Sequence, residues 1–553
     1  MIFLNYKNKF ATFTLFMLLG TALFQTTRAE DDMLDDDLDA LLYSITPEDL
    51  ETLRSCEPGE ATQWIALLTI TEAAKLFDQD FYKKTSIPVA RNLINYPDFL
   101  LCTYQTPECS YQVLAEKQLT THVFYNISSK KAFTQDLETD VQRVVGNRIG
   151  SYLNIENQAL RDLIKKILNL VPVGLDPLRN INFPNLLQVI GDARLEERRM
   201  GFMWHYCQQI NPNTYFECRL PFFWMIRNLN FTPEEKRRIS DQLSLFTGTC
   251  VNEQEFAEKH LIFDALGTGT LELSLCTKIF ERPTWGIDGG GCLYLPTDYH
   301  FATGLYGTYF QPKDQQPLLD LCDLVNVSAF ELNPDYKKIL SDYGLAAIDH
   351  LSSALLQCPL GYNKHLGAGL KLNPYWQIRD DLQYKGQYIL EFFLAQDEKR
   401  FFVEKQPKIP FSTRFTALTV PDEEKLLIFE QELTKWLFPR VFTTKVLPGI
   451  IFNSTTALQK TYRRWDFTAG YNAWYRGNES YLEINAPAEI VKNLDICKSL
   501  TPSAWAVKLF GKLHRDFNGS RHDVSFSLYG DATLFNQGIG NDFILGVSFD
   551  TKF

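Results

Sequence analysis

After about residue 196, apolar and polar residues alternate in runs of about 9–14, the two-residue period of a strand whose successive side chains face opposite ways. The C-terminus shows the pattern most plainly. Phe543, Leu545, Val547, Phe549, Thr551 and Phe553 share one face there, and Ile544, Gly546, Ser548, Asp550 and Lys552 share the other. Upstream, Val524, Phe526 and Leu528 oppose Asp523, Ser525, Ser527, Tyr529 and Asp531, and Trp505, Val507 and Leu509 oppose Ala504, Ala506 and Lys508. The same period runs through 215–224, 271–276 and 465–475, and further strands are expected at 118–127, 200–209, 285–295, 301–310, 366–373, 382–393 and 444–453. Asn518-Gly519, two residues that tolerate positive φ, marks a hairpin between two of these runs. A membrane-crossing strand takes about 9–11 residues, so the segments predict a mainly β protein: one antiparallel transmembrane barrel of about 12–16 strands.

Helical patterns flank and interrupt the strands. Thr46-Pro47-Glu48-Asp49 supplies an N-cap, a first-turn proline and two acids at the positive helix end, and a helix-prone stretch runs from about Asp136 to Leu170. Thr232-Pro233-Glu234-Glu235 opens another helix; Asp335–Gln357 and Pro421–Phe438 suggest two more. The expected organisation is a leader over 1–29, an N-terminal helical or mixed segment over 30–195, and the barrel over 196–553. The N-terminal segment would be a periplasmic part or a plug, with a strand at 118–127. The barrel would carry helical inserts near 312–358 and 420–440.

The leader reads as a secretory signal. Lys7 and Lys9 form its basic start, Phe10 to Phe24 its apolar stretch, and Thr27-Arg28-Ala29 its small-x-small cleavage site. Cleavage after Ala29 leaves 52 basic residues against 67 acidic, a net charge of −15, which disfavours nucleic-acid binding. Export implies an oxidising compartment, where Cys102 and Cys109 are placed to close a small loop. The other cysteines form no CxxC and no zinc-like grouping, and most read as small apolar residues.

Composition then sharpens the barrel reading. The 553 residues are 14% aromatic, yet no stretch after residue 24 reaches the roughly 20 apolar residues of a membrane helix. The face opposite the apolar one carries small, polar and charged groups, and Tyr, Trp and Phe gather near segment ends. The closing run FILGVSFDTKF, with Phe543, Leu545, Val547, Phe549, Thr551 and the terminal Phe553, resembles the C-terminal β-signal of Gram-negative outer-membrane β-barrel proteins. The resemblance implies a location in the bacterial outer membrane, contact with outer-membrane lipid and recognition by the barrel-assembly machinery. A helical segment ahead of a large barrel is also similar to the long-chain fatty-acid transporters, with no motif to carry over.

In such a barrel the polar rows face a lumen. The candidate lining residues are Glu217, Arg219, Glu272, Lys278, Lys371, Lys385, Glu391, Asp466, Lys508, Lys512, Asp550 and Lys552. Both charge signs occur, so no ion preference follows from the sequence. The expected function is a pore or transport channel for small solutes or lipophilic molecules, with no cofactor or metal. Asp288-Gly289-Gly290-Gly291 lacks phosphate-loop spacing and reads as close packing in the wall. The segment His514 to His522, which contains Ser520, supports a second class, an outer-membrane lipid hydrolase. A secreted soluble β protein that binds a ligand is the third.

Overall fold

The computed structural model describes residues 117–128, 132–133, 138–139 and 195–552, except 230, 248–251, 325–335, 403, 406–417, 420, most of 421–437, 502 and 519–522. Two-residue spacing of apolar side chains becomes nineteen strands. They are β1 (Lys117–Ser128), a small ribbon of β2 (Ala132–Phe133) and β3 (Glu138–Thr139), β4 (Leu195–Asn211), β5 (Thr214–Leu229), β6 (Ile262–Thr268), β7 (Leu271–Arg282), β8 (Trp285–Leu295) and β9 (His300–Thr303). There follow β10 (Gly367–Arg379), β11 (Leu382–Phe393), β12 (Gln396–Phe402), β13 (Arg440–Leu447), β14 (Ile451–Tyr462), β15 (Trp465–Arg476), β16 (Ser480–Ile484), β17 (Ala504–Asn518), β18 (Asp523–Gln537) and β19 (Asp542–Lys552).

Twelve of these close an antiparallel barrel in the order β1-β19-β18-β17-β15-β14-β11-β10-β8-β7-β5-β4, and β4 pairs with β1 to seal it. The first wall strand, β1, lies ahead of the segment from residue 196, paired with the last strand on one side and with β4 on the other. The expected strand at 382–393 has the observed bounds, and most others lengthen by a few residues. Two expected segments differ. The run at 444–453 straddles β13 and β14, because Pro448-Gly449 breaks the ladder between them. Of 301–310 only Phe301 to Thr303 belongs to a strand, β9, after which the chain folds over the outer face of β6: the indole of Trp224 donates to Asp264, whose other oxygen accepts from the Tyr306 amide at 2.6 Å.

The two ends of the barrel differ. One carries the chain's short turns, two residues each between β4 and β5, β7 and β8, β10 and β11, and β14 and β15. The other carries every long connection. On that loop end stand α1 (Pro233–Thr247), α2 (Glu253–His260), α3 (Gln316–Leu324), α4 (Tyr336–Leu356), α5 (Ala488–Asn493) and α6 (Ile496–Ser499), with a three-stranded sheet β12-β13-β16 that prolongs β11, β14 and β15. Thr232 caps α1 as its sequence suggests: its hydroxyl accepts from the Glu235 amide at 3.2 Å, and its own amide donates to the Glu235 carboxylate at 2.7 Å. The expected helix over 335–357 is α4; the expected helix at 46–49 and most of the one at 421–438 lie outside the described residues, and of 136–170 only Glu138–Thr139 is described, as the strand β3.

The wall is apolar outside and polar inside. Leu370 is 62% exposed while its neighbour Lys371 is 1% exposed. Outward Leu293, Leu370, Leu458, Leu509, Leu528 and Leu545 form a belt. Toward the turn end it is edged by Trp285, Trp376, Tyr462, Phe467 and Phe517, toward the loop end by Tyr125, Phe392, Phe452, Tyr475 and Phe543. In a soluble sandwich that apolar row would be core; here it is the outer surface. No helix among the described residues is long and apolar enough to cross a membrane.

Inside, four aromatic rings lie against wall glycines directly opposite them: Tyr375 on Gly286, Phe393 on Gly367, Phe510 on Gly470 and Tyr529 on Gly546. A Cβ added to Gly286 would lie 2.5 Å from Tyr375 Cζ, and one added to Gly546 would lie 2.3 Å from Tyr529 Cζ, so only glycine admits the rings.

Candidate functional site

The sequence places charged residues on the inner face by parity alone, and the register then decides which of them meet. Glu217 and Arg219 on β5, Glu272 on β7 and Lys371 on β10 form one cluster. Lys371 Nζ is 2.5 Å from Glu217 Oε2, Arg219 donates to Glu217 at 3.1 Å and to both oxygens of Glu272 at 3.2 and 3.3 Å, and Ser274 donates to Glu272 at 2.9 Å. All four charged groups are buried, and their signs balance. On the opposite wall Lys508 of β17 bonds Asp542 of β19 at 2.5 Å and Asp531 of β18 at 3.4 Å, while Asn126 of β1 and Thr533 of β18 donate to Asp542.

The other candidates are distributed along the bore. Lys278 turns to Glu281 at 2.7 Å beside the β7–β8 turn. Glu391 accepts from Tyr362 at 2.9 Å, Asp550 accepts from Ser525 at 2.9 Å, and Lys385 and Lys512 are buried on the inner face. Lys552 stands opposite Gln118 and Asp523 in the ladder. Asp466 is half-buried at the turn end, directly across from His514. Parity also holds residues that the sequence reading left out: His205, Glu197, Arg199, Arg227, Asp288, Asp531 and Asp542. Their signal was the same alternation, at positions where the runs were drawn too short or an apolar neighbour dominated.

A strap lies at the loop end. Residues 357–365, between α4 and β10, are tied in turn to β5 and to the segments that follow β6, β8 and β11. Arg227 of β5 donates to the Gln357 carbonyl at 3.0 Å, the Tyr362 amide donates to Thr270 at 3.0 Å, and the Lys364 amide donates to Asp298 at 2.9 Å. His365 meets the Leu394 carbonyl at 2.7 Å and Glu398 at 2.7 Å. Leu360 and Tyr362 of the strap pack into an apolar cluster that includes Phe223, Met225, Tyr294 and Phe393. Burial pushes the Asp298 carboxyl above its ordinary value, against the hydrogen bonds from Thr270 and Lys364 that pull it down. Beside the strap, Glu398, Arg400 and Glu479 line a cavity of about 60 Å³ together with Tyr362 and His365; Arg400 bridges the two carboxylates at 3.0 and 2.8 Å.

Two titratable groups stand on α4. Burial alone would raise the Asp349 carboxyl, but hydrogen bonds from His260 and Lys313 hold it below the usual carboxylate value. The adjacent His350 is pushed down to about 4 by burial, with Nε2 3.0 Å from the Pro439 carbonyl.

At the turn end, His514 Nδ1 is 2.9 Å from Ser527 Oγ and Nε2 is 3.3 Å from Asp516 Oδ1. Ser527 is fully buried, which leaves its oxygen no open side for a carbonyl substrate. Ser520, His522, Cys102, Cys109 and Phe553 lie outside the described residues. Cys207, Cys276 and Cys292 are free and buried, as small apolar side chains are; Cys358 is buried and Cys497 exposed. Of the terminal-strand residues, Phe543, Leu545 and Phe549 are exposed on the outer face, in one row with Val547.

No family model matches the chain, and no curated protein matches it. The solved structures it is similar to are outer-membrane β-barrel proteins of Gram-negative bacteria. An outer membrane channel of Pseudomonas putida F1 aligns over 80% of this chain and 98% of its own, at 9% identity and a TM-score of 0.37. The monoaromatic hydrocarbon channel CymD aligns over 85% and 98%, at 10% identity and 0.28. The toluene transporter TodX of Pseudomonas putida aligns over 86% and 98%, at 8% identity and 0.29.

Proposed function

We propose that the chain is an outer-membrane channel that passes small solutes through the barrel, with the strap at residues 357–365 restricting entry at the loop end. The observation that carries this reading is the two-faced closed wall: leucines and aromatic edges outside, paired charges and amides inside. A wall of that kind places its outer belt in lipid and leaves a polar path through the middle. The turn end would face the periplasm and the loop end the exterior, after export by the leader and assembly through the outer row of β19.

The test has two stages. In membranes of a Gram-negative host the full chain is expected to stay with the outer-membrane fraction through carbonate and high salt, and to show heat-modifiable gel mobility. Release without detergent would remove the membrane assignment. The purified barrel in planar bilayers is then expected to conduct; no conductance and no solute entry into liposomes would refute the channel.

A further inference from the structure

Most charges inside the wall are neutralised by one another, so the informative groups are those left over. Asp288 is the clearest. It sits on the inner face of β8, fully buried, and among the described residues neither of its carboxylate oxygens has a hydrogen-bond partner. Lys278, directly opposite on β7, acts on it through its charge but gives its hydrogen bond to Glu281. Lys371, one strand away, is bonded to Glu217. The other charges near Asp288, Glu217 and Glu281, are themselves acidic. Gly290, the next inward position on β8, puts no side chain beside it.

Asp288 is also the first rung of a ladder. Asn373 stands directly opposite it on β10. Leu372 opposite Tyr388 and Tyr375 opposite Lys385 place Gln387 of β11 across from Asn373. Gln387 faces Thr455, Thr455 faces Asn472, and Asn472 faces Lys508. All six are buried on the inner face. Among the described residues the amide oxygens of Asn373, Gln387 and Asn472 have no hydrogen-bond partner, and the Asn373 nitrogen meets the Tyr215 hydroxyl at 3.0 Å. The Asn472 amide cannot be turned round, because its nitrogen donates to the Ser454 carbonyl at 3.2 Å and to Asn453 Oδ1 at 2.9 Å. At the far end Lys508 faces two carboxylates, Asp531 and Asp542, and Asp531 Oδ2 has no partner. The ladder therefore begins at an unpartnered carboxylate and ends at two carboxylates that share one lysine, with the Asn472 oxygen fixed as an unpaired acceptor between them.

Five steps of about 4.8 Å make the ladder about 24 Å long. With strands tilted by about 40° it climbs about 15 Å along the barrel axis, from the turn-end third of β8 toward the loop-end third of β17. Buried acceptors without donors are costly to leave unmatched, and the partner that suits both a carboxylate and a line of amide oxygens is a cation.

We propose that this ladder is a cation path: a small monovalent cation, an alkali ion or a primary ammonium, binds between Asp288 and Asn373 and moves along the amide oxygens to Asp531 and Asp542. The inference rests on the channel reading, deepens it to a cargo class, and is testable apart from it. Full-length protein in planar bilayers under a KCl gradient is expected to favour K+ over Cl−, and methylammonium chloride in place of KCl reports whether ammonium follows the same path. Asp288→Asn keeps the shape and removes the charge, so the K+/Cl− permeability ratio is expected to fall by about tenfold, since a unit charge a few ångströms away in a partly solvated interior biases occupancy at least that much. Asn373→Asp is expected to raise it. Heat-modifiable mobility confirms that each variant is a folded barrel. Independently, crystals of the full chain soaked in thallium(I) are expected to show anomalous density between Asp288 and Asn373 that Asp288→Asn removes. Where the chain conducts, selectivity unchanged in both variants overturns the proposal. Where it does not conduct, the thallium density decides: density at Asp288 keeps the cation site while the channel fails, and none removes both.

Discussion

Replacing Glu217 by glutamine puts the buried cluster of β5, β7 and β10 to the test. The carboxylate holds Lys371 at 2.5 Å and Arg219 at 3.1 Å. Arg219 keeps a second acid, Glu272, at 3.2 Å, whereas no second carboxylate bonds Lys371 among the described residues. The substitution therefore strands one buried ammonium, and breaking one side of a buried pair destabilises by about 3–5 kcal/mol. Lys371→Met alone should do less harm, because Glu217 retains Arg219. The double variant removes both charges and leaves the balanced Arg219–Glu272 pair, so it should be more stable than Glu217→Gln alone, with a coupling of about 2–3 kcal/mol. Equilibrium unfolding by urea from lipid vesicles, followed by tryptophan fluorescence, reads all four species of the cycle. The reasoning is refuted if Glu217→Gln lies within about 0.5 kcal/mol of the native chain, the range of an ordinary surface change, or if the double variant is less stable than the sum of the singles.

Three further outcomes follow from other parts of the molecule. Leu509→Arg, at an outward position in mid-wall, should destabilise the barrel by about 2–4 kcal/mol in the same vesicle assay if that face meets lipid, and by almost nothing if it meets water. Gly546→Leu should force the Tyr529 ring off the wall at about 1–3 kcal/mol, visible as a lower temperature for the gel-mobility shift; an unchanged shift would mean the ring has room elsewhere. His350 is buried neutral with its ionisation pushed down from 6.5 to about 4, so acid favours the unfolded state, in which the imidazole binds its proton first. Stability should be flat above pH 6.5 and fall by up to about 3 kcal/mol toward pH 4, and His350→Phe should flatten that stretch of the urea pH profile.

The alternation was enough to place the wall, because in a closed barrel every second side chain meets one of two very different surroundings. Lys371 and Leu370 declare themselves from sequence for that reason. It failed where both faces are covered: β6, with its sequence IFDALGT, packs inside and is overlaid outside by the chain around Tyr306, so its period is lost. It failed again at β12, β13 and β16, which stand above the belt and have no lipid side to enforce a pattern. What no run of residues shows is register. Lys371 and Glu217 are separated by 154 positions, and the ladder from Asp288 to Lys508 exists only once six strands are aligned. The Asp288-Gly289-Gly290-Gly291 segment could be read for its glycines, but the solitary acid at its head acquires meaning only from neighbours brought there by pairing.

The glycine–aromatic pairs carry an engineering consequence. Each is a reciprocal slot, one strand supplying a ring and its neighbour the bare backbone that receives it. Exchanging the two members of a pair conserves the filled volume but moves the ring one strand round the circumference. Four such slots distributed over the wall make the calibre and outline of the bore adjustable by paired substitutions that never touch the outer surface.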